Sequence, residues 1–270
     1  MGRDPYPRRI VCLTEETVET LYLLGEDHRI AGVSGYAVRP PRVRKEKPRV
    51  SAFVSADLPK ILALAPDLVL AFSDLQADIV ADLARAGLEV HVFNQRSIDG
   101  IFAMIATLSA LVGAAEKGAA LTADLDARLA AARTRAAARE VRPRVYFEEW
   151  DAPMICGISW VSQLVEIAGG LDIFADRAHG QAARERFVSA EEVIAQAPDI
   201  VIGSWCGKKF NPARFAARPG FADLPAVRAG RLHEIKSSLI LQPGPAALTD
   251  GLDALLALFD GFEGARLRAS

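Results

Sequence analysis

The sequence predicts an α/β protein with two doubly wound, Rossmann-like lobes joined by a long connecting helix. Short aliphatic segments alternate with amphipathic helical segments, which is typical of a parallel sheet covered on both faces. The segment "KILALAPDLVLAFSD" (60–74) returns as "EVIAQAPDIVIGSWC" (192–206), so the chain contains two similar halves. We therefore predict lobes over 1–111 and 143–270, with the connecting helix over 112–142.

The elements of the first half begin with "RIVCL" (9–13), a short aliphatic run that suits a buried parallel strand. Thr14 is a plausible N-cap, and Glu15 and Glu16 lie near the positive end of the following helix, which ends at Gly25. The remaining predicted elements are a strand in "RIAGVS", a Pro-rich loop over 35–49, a helix over 59–65, a strand over 67–72, and a helix and a strand in "ADIVADLARAGLEVHVF".

The segment from Ile101 to the residue before Pro143 is Ala-rich, charged and free of proline. Strong helix formers dominate it, and Gly113 and Gly118 are its weak points. It forms either two ordinary surface helices or one long connecting helix. The repeated sequence on either side favours the connecting helix.

The second half repeats the alternation of strands and helices. Ser189 is a good N-cap for the helix that precedes the second copy of the repeat. The predicted elements are strands in "RPRVYFEEW", "DIVIG" and "GRLHEI" and helices in "SWVSQLVEIAGG", "SAEEVIAQ" and "GPAALTDGLDALLALFDG".

Composition excludes several classes of protein. The net charge of −2 gives no electrostatic reason to expect nucleic acid as a partner. The sequence has no run of about 18 apolar residues, so no segment is predicted to span a membrane. The three cysteines, Cys12, Cys156 and Cys206, lack ligand spacing and are interpreted as free thiols, with Cys206 a buried small residue rather than a metal ligand. We expect a monomer with no metal site and no resident cofactor.

The residues that follow the strands are the candidates for function, because ligands of open parallel sheets bind beyond the carboxyl ends of the strands. Both copies of the repeat end in an aromatic residue, Phe72 and Trp205. The sequence therefore predicts two lobes that face one another across a small-molecule cleft.

Six segments in order resemble the periplasmic vitamin B12-binding and ferric-siderophore-binding proteins of ABC importers, the class with two lobes joined by a rigid helix. The segments are "RIVCLTEETVETLYLLG", "RIAGVSGYAVRPP", "LPKILALAPDLVLAF", "GISWVSQLVEIAGG", "FVSAEEVIAQAPDIVI" and "PAVRAGRLHEI". Together they cover nearly the whole chain. The resemblance implies a protein that captures a metal chelate for ABC-type import.

The resemblance also implies an aromatic ligand site. Its members are Tyr36, Phe53, Phe72, Trp150, Phe187 and Trp205. Aromatic walls suit a large, flat, mostly apolar chelate such as a corrinoid. Each of these side chains could instead belong to a core. His179 is interpreted either as an axial metal ligand or as a solvated residue.

Family members dock on their permease and ATPase complex through one acidic residue on each lobe. Glu191 matches the position in the second lobe, whereas the position in the first lobe falls on Pro59, with only Asp57 nearby. Several cations lie near the expected rim of the cleft. They either belong to an ordinary solvated surface or attract an anionic chelate. These cations are Arg42, Arg44, Lys45, Lys47, Lys208 and Lys209.

The favoured function is therefore a binding protein for a corrinoid, with a ferric siderophore as the alternative ligand. A cytoplasmic chelate carrier or sensor without a transporter is a further alternative. A chelatase-like enzyme is a minor one, which would use Glu148 or Glu149 with a histidine such as His233. We predict no catalytic residue. The location is periplasmic if a leader has been removed and cytoplasmic if the sequence is full length.

Overall fold

The computed structural model describes residues 5–267, with side chains described as far as Phe262. The chain divides into two compact units, and the division falls between Asp124 and Leu125. The residues up to Asp124 are called the first unit and the residues from Leu125 the second unit. Among the described residues, no helix is long and apolar enough to cross a membrane.

The first unit is built on a parallel sheet in the order β3-β2-β1-β4-β5. Its strands are β1 (Ile10–Cys12), β2 (Ile30–Ser34), β3 (Arg49–Ser51), β4 (Leu68–Phe72) and β5 (Val90–Phe93). Its helices are α1 (Glu15–Leu23), α2 (Val43–Glu46), α3 (Leu58–Ala63), α4 (Ala77–Arg85) and α5 (Ile98–Leu111).

Both faces of this sheet are covered, as the aliphatic strands predict. Val11 and Val69 pack with Ile61 of α3 and Leu83 of α4, while the Cys12 side chain meets Thr17 of α1. Every residue of β1 and β4 is buried. The predicted strands at 9–13 and 67–72 are therefore confirmed.

The Pro-rich segment 35–49 is not the continuous loop that the sequence predicts. It contains the single-turn helix α2, and its last residue opens β3, which pairs with β2. The three residues of β3 contain one apolar side chain, Val50, and lack the aliphatic run that makes the equally short β1 recognisable, so pairing with β2 decides its conformation.

The Ala-rich segment forms two helices, α5 and α6 (Ala115–Ala137), with a break at Gly113. Gly113 has φ +73°, a left-handed conformation that favours glycine at a helix end. Gly118 stays helical and packs directly against Ser109, whose side chain would overlap any Cβ at this position. Helix α6 lies inside the segment 112–142, and its role as a rigid connector stays a prediction.

The second unit has a mixed sheet in the order β10-β9-β6-β7, with β8 also paired to β6. Its strands are β6 (Arg144–Asp151), β7 (Met154–Cys156), β8 (Leu171–Asp172), β9 (Ile200–Gly203) and β10 (Leu232–Glu234). Its helices are α7 (Ser159–Ile167), α8 (Ala190–Gln196), α9 (Pro212–Ala216), α10 (Pro225–Arg228), α11 (Ser237–Ile240) and α12 (Leu252–Leu267), the last preceded by a π-helical turn at Ala247–Gly251.

One strand of the second sheet is antiparallel, a feature that the alternation of strands and helices does not indicate. Strand β7 runs antiparallel to β6, which it meets through a tight turn after Asp151. An aromatic cluster that includes Tyr146, Phe215 and Phe221 packs beside this sheet. Helix α8 begins with the predicted cap, since Ser189 Oγ accepts a hydrogen bond from the Glu192 backbone N–H at 3.2 Å.

Candidate functional site

Exposed apolar side chains follow three strands of the first unit, of which β3 and β2 are neighbours and β4 is separated from β2 by β1. Tyr36 after β2 is 51% exposed, Val54 after β3 is 68% exposed and Leu75 after β4 is 58% exposed. The carboxyl ends of parallel strands meet at one edge of a sheet, so these side chains belong to the same edge. Clustered apolar exposure of this kind marks a binding surface. We call Tyr36, Val54 and Leu75 the apolar edge.

The buried amide of Gln76 holds together the two segments next to Val54 and Leu75. Its Oε1 accepts a hydrogen bond from the Phe72 backbone N–H at 2.9 Å, and its Nε2 donates to the Phe53 carbonyl oxygen at 2.9 Å. Ser73, with φ 59°, turns the chain sharply between β4 and Leu75. The end of β4 and the loop after β3 are thereby fixed to each other.

The predicted aromatic residues of the first unit differ in exposure. Tyr36 is exposed and Phe53 is half-buried. Phe72 is buried, and the Arg96 guanidinium lies 5.5 Å from its ring centroid. Of these three side chains, Tyr36 therefore offers the largest surface to a ligand.

The first turn of α1 follows β1 and carries two buried carboxyl groups, which the charge pattern does not predict. Burial raises the pKa of Glu15 to about 7 and that of Glu16 to about 8. Thr14 occupies the predicted N-cap position, but its hydroxyl donates to Glu16 Oε1 at 2.6 Å instead of capping the helix. This edge of the sheet therefore carries less negative charge near neutral pH than its sequence indicates.

In the second unit, Trp150 and Phe187 are the predicted aromatics that retain exposed surface. Trp150 lies opposite Ile155 in the β6–β7 pair, and Phe187 bridges to Ile155 from the other side. Two strand spacings place the backbones of the two aromatics roughly 10 Å apart. Phe187 is 42% exposed and Trp150 is half-buried.

Trp205 lies in the core of the second unit and is only 3% exposed. Its Nε1 donates to Glu148 Oε1 at 2.9 Å, and its ring meets Phe210 edge-on with centroids 5.0 Å apart. A direct contact between Trp205 and a ligand stays a prediction, but its surroundings are those of a core residue.

Carboxylates at the end of β6 are each paired with a cation. Arg218 donates to both oxygens of the wholly buried Glu148, at 2.6 and 3.0 Å. Arg186 pairs with Glu149. The arginines thus occupy the two carboxylates that a chelatase-like reaction would need.

Asp151, the last residue of β6, pairs with Lys208, and Arg214 lies 3.4 Å from its Oδ2. Burial raises the pKa of Asp151, but the hydrogen bond from Lys208 and the charges of Lys208 and Arg214 outweigh this effect and lower it overall. The Lys208 Nζ also lies 4.0 Å from the Trp150 ring centroid, within the range of a cation–π interaction.

The expected rim cations do not behave alike. Lys47 is tied down, because its Nζ donates to the carbonyl oxygens of Asp27 and Ile30 at 2.7 and 2.9 Å. Arg42 lies over the Tyr22 ring, 4.7 Å from its centroid. All of these cations except Lys47 are exposed, and among them Arg42 and Lys208 each lie over an aromatic ring.

The expectation that Cys206 is buried is wrong, because its side chain is exposed. The chain turns outward after Trp205, and Gly207 with φ +76° continues that turn. His179 is exposed as well. Among the described residues, no group of three or more His, Cys, Asp or Glu side chains could hold a metal ion.

Sequence reasoning missed Val54 and Leu75 because it weighted aromatic residues. A signal was present for Leu75, an aliphatic residue in a polar segment just after the predicted strand over 67–72, whereas Val54 follows β3, a strand that the sequence does not predict. The pairing of Lys208 with Trp150 and Asp151 joins residues 57 or 58 positions apart, and no local pattern indicates it.

Comparison with known proteins gives consistent matches. Residues 10–239 match the family described as periplasmic binding protein. A cobalamin-binding protein of Halobacterium salinarum is 28% identical over 90% of this chain and 67% of its own length.

Two solved structures are similar over nearly the whole chain. The periplasmic vitamin B12-binding protein of Vibrio cholerae is 25% identical with a TM-score of 0.74, over 94% of this chain and 97% of its own. A periplasmic heme-binding protein from Roseiflexus sp. RS-1 is 26% identical with a TM-score of 0.79, over 93% of this chain and 98% of its own.

Proposed function

The chain belongs to the periplasmic binding protein family, and from this premise we propose that it captures a corrinoid as the substrate-binding component of an ABC importer. The observation that carries the proposal is the apolar edge. Exposed apolar side chains that follow three strands at one edge of the sheet suit a broad, flat, mostly apolar ligand.

The named relatives support a metal chelate of the tetrapyrrole type as the ligand. The cobalamin-binding and vitamin B12-binding relatives support a corrinoid, and the heme-binding relative supports a ring of similar size and shape. Trp150 and Phe187 would supply stacking surfaces on the second unit, as Tyr36 would on the first. Binding and release of the chelate need no catalytic residue.

We propose Glu191 as a contact with the permease of the importer. It lies exposed in the first turn of α8, where hydrogen bonds from its own backbone N–H and from Ser189 lower its pKa and keep it ionised. In the first unit, Asp57 is engaged as the cap of α3, where it accepts a hydrogen bond from the Lys60 backbone N–H at 3.0 Å. The family of periplasmic proteins supports a periplasmic location, which fractionation of cells that express the native gene would test.

Titration with dicyanocobinamide, cobalamin, hemin and ferric siderophores tests the ligand. We expect one corrinoid per chain, measured by equilibrium dialysis and corrin absorbance. The triple variant Tyr36→Ala, Val54→Ser, Leu75→Ser should weaken corrinoid binding by at least about tenfold, since removing each apolar side chain from the ligand surface costs on the order of 1 kcal/mol.

A matched control removes exposed apolar surface elsewhere in the same unit. Leu23 and Leu62 are 54% and 42% exposed and lie on helices α1 and α3. The double variant Leu23→Ser, Leu62→Ser should bind like the unchanged protein. Binding of a siderophore without any corrinoid, or equal effects of the two variants, would overturn the assignment.

A further inference from the structure

Lys208 covers one of the aromatic surfaces that a flat ligand would use. Its Nζ lies 4.0 Å from the Trp150 ring centroid and 5.1 Å from that of Trp205. The side chain is 37% exposed and pairs with the buried carboxylate of Asp151. A ring cannot stack on this face of Trp150 while the ammonium group stays there.

The surroundings of Asp151 allow Lys208 to leave. An uncompensated buried carboxylate is costly, so a lysine that was its sole partner would be fixed in place. Arg214 lies 3.4 Å from Asp151 Oδ2, an oxygen that accepts no hydrogen bond from any described residue. The Arg214 side chain is 64% exposed and can close this gap, which would keep Asp151 neutralised after Lys208 departs.

A departing ammonium group needs a new partner. Lysine is a strongly hydrated point charge on a flexible stem, so it moves readily but gains little from an apolar ring edge. An acidic group on the edge of the ligand would replace the charge of Asp151. A charge-assisted hydrogen bond forms readily between such a group and an ammonium ion.

We propose that Lys208 covers Trp150 before binding and moves to an acidic group on the ligand's edge as the ring stacks, so that it selects flat chelates that carry a carboxylate or phosphate. This inference rests on the proposed corrinoid function and adds one property of the ligand, an acidic group on its edge. Lys208 acts as a specificity residue, and Arg214 holds Asp151 in its absence.

The test compares two corrinoids with the same ring. Cobyric acid ends in a free carboxylate where cobinamide has an amide, and the dicyano forms saturate the cobalt in both. We expect the unchanged protein to prefer dicyanocobyric acid about tenfold, the equivalent of about 1.4 kcal/mol. Lys208→Met should reduce the preference below about twofold, chiefly by weakening binding of the acid.

The control is Lys117→Met, because Lys117 has a similar setting away from the strand ends. Its Nζ lies 2.9 Å from Glu26, which Arg29 also pairs with at 2.9 Å. This variant should keep the tenfold preference. A preference that survives Lys208→Met, or no preference in the unchanged protein, would overturn the role of Lys208 while the corrinoid function stands. No binding of either corrinoid would overturn both.

A second measurement, made without ligand, tests whether Arg214 takes over the ion pair with Asp151 when Lys208 is absent. Lys208→Met should lower the melting temperature by less than about 3 °C, because Arg214 still neutralises Asp151. Lys208→Met with Arg214→Met should lower it by clearly more than the two single changes together. Additive effects of the two changes would show that Arg214 does not take over, and the proposed exchange would fail.

Discussion

Replacement of Arg218 by Met should destabilise the second unit strongly. Arg218 is the cation that faces Glu148, whose side chain has no solvent exposure. Met keeps an unbranched apolar side chain and removes the guanidinium, whose central carbon lies 4.8 and 5.6 Å from the ring centroids of Phe215 and Phe221. The destabilisation would therefore report the loss of the guanidinium, both its ion pair with Glu148 and its cation–π contacts.

The magnitude follows from the partners of Glu148. Trp205 and Tyr146 would still donate hydrogen bonds to it, at 2.9 and 3.0 Å, but neither carries a charge. Removal of one partner from a buried ion pair costs about 3–5 kcal/mol. The Arg218 side chain is 16% exposed, so we expect about 3 kcal/mol. That corresponds to a fall in melting temperature of roughly 6–12 °C.

Tryptophan fluorescence is a suitable assay, because the three tryptophans, Trp150, Trp160 and Trp205, all belong to the second unit. Arg228→Met is the control, since Arg228 and Asp223 form an exposed pair with side chains 67% and 81% exposed. Such pairs contribute about 0–1 kcal/mol.

Adding Glu148→Gln to Arg218→Met should restore more than half of the stability, because the buried charge is then gone. If Arg218→Met melts within about 2 °C of the Arg228→Met control, the electrostatic role assigned to the buried pair is refuted.

Two other predictions concern acidic residues. Burial raises the pKa of Glu16 from 4.5 to about 8, so between these values the folded state binds more protons and the free energy of unfolding falls as pH rises. In the Glu16→Gln variant, the free energy of unfolding measured by urea titration should fall less between pH 5 and pH 8 than in the unchanged protein. An equal fall in both proteins would contradict the raised pKa of Glu16. Glu191→Gln should keep ligand affinity but reduce stimulation of the cognate permease and ATPase complex severalfold. Glu185→Gln, exposed nearby, serves as control, and equal stimulation by both would argue against docking through Glu191.

The fold was predictable where its signal is local. Strands such as β1 and β4 are runs of aliphatic residues between recognisable helix starts, so their burial on both faces can be read from neighbouring positions. Strands β3, β7 and β8 have three, three and two residues. Their conformation depends on pairing with distant strands, which no short window contains.

The candidate site likewise contains some features that the sequence indicates and others that depend on residues distant in the chain. The exposure of Tyr36 could be anticipated, because the residue after a strand end leaves the sheet. Trp205 also follows a strand, yet it turns inward, where the buried Glu148 offers its indole N–H an acceptor. The burial of Glu15 and Glu16 likewise depends on elements distant in sequence, since α1 packs against α5 and β2, and charge alone predicts the opposite.

The position of Gln76 has a consequence for protein engineering. A single side-chain amide anchors two loops through backbone atoms only, the N–H of Phe72 and the carbonyl of Phe53. Side chains that project from these loops can therefore be exchanged while the anchor stays in place. A library that varies Val54 and Leu75 while Gln76 is kept would sample new ligand preferences on an unchanged scaffold.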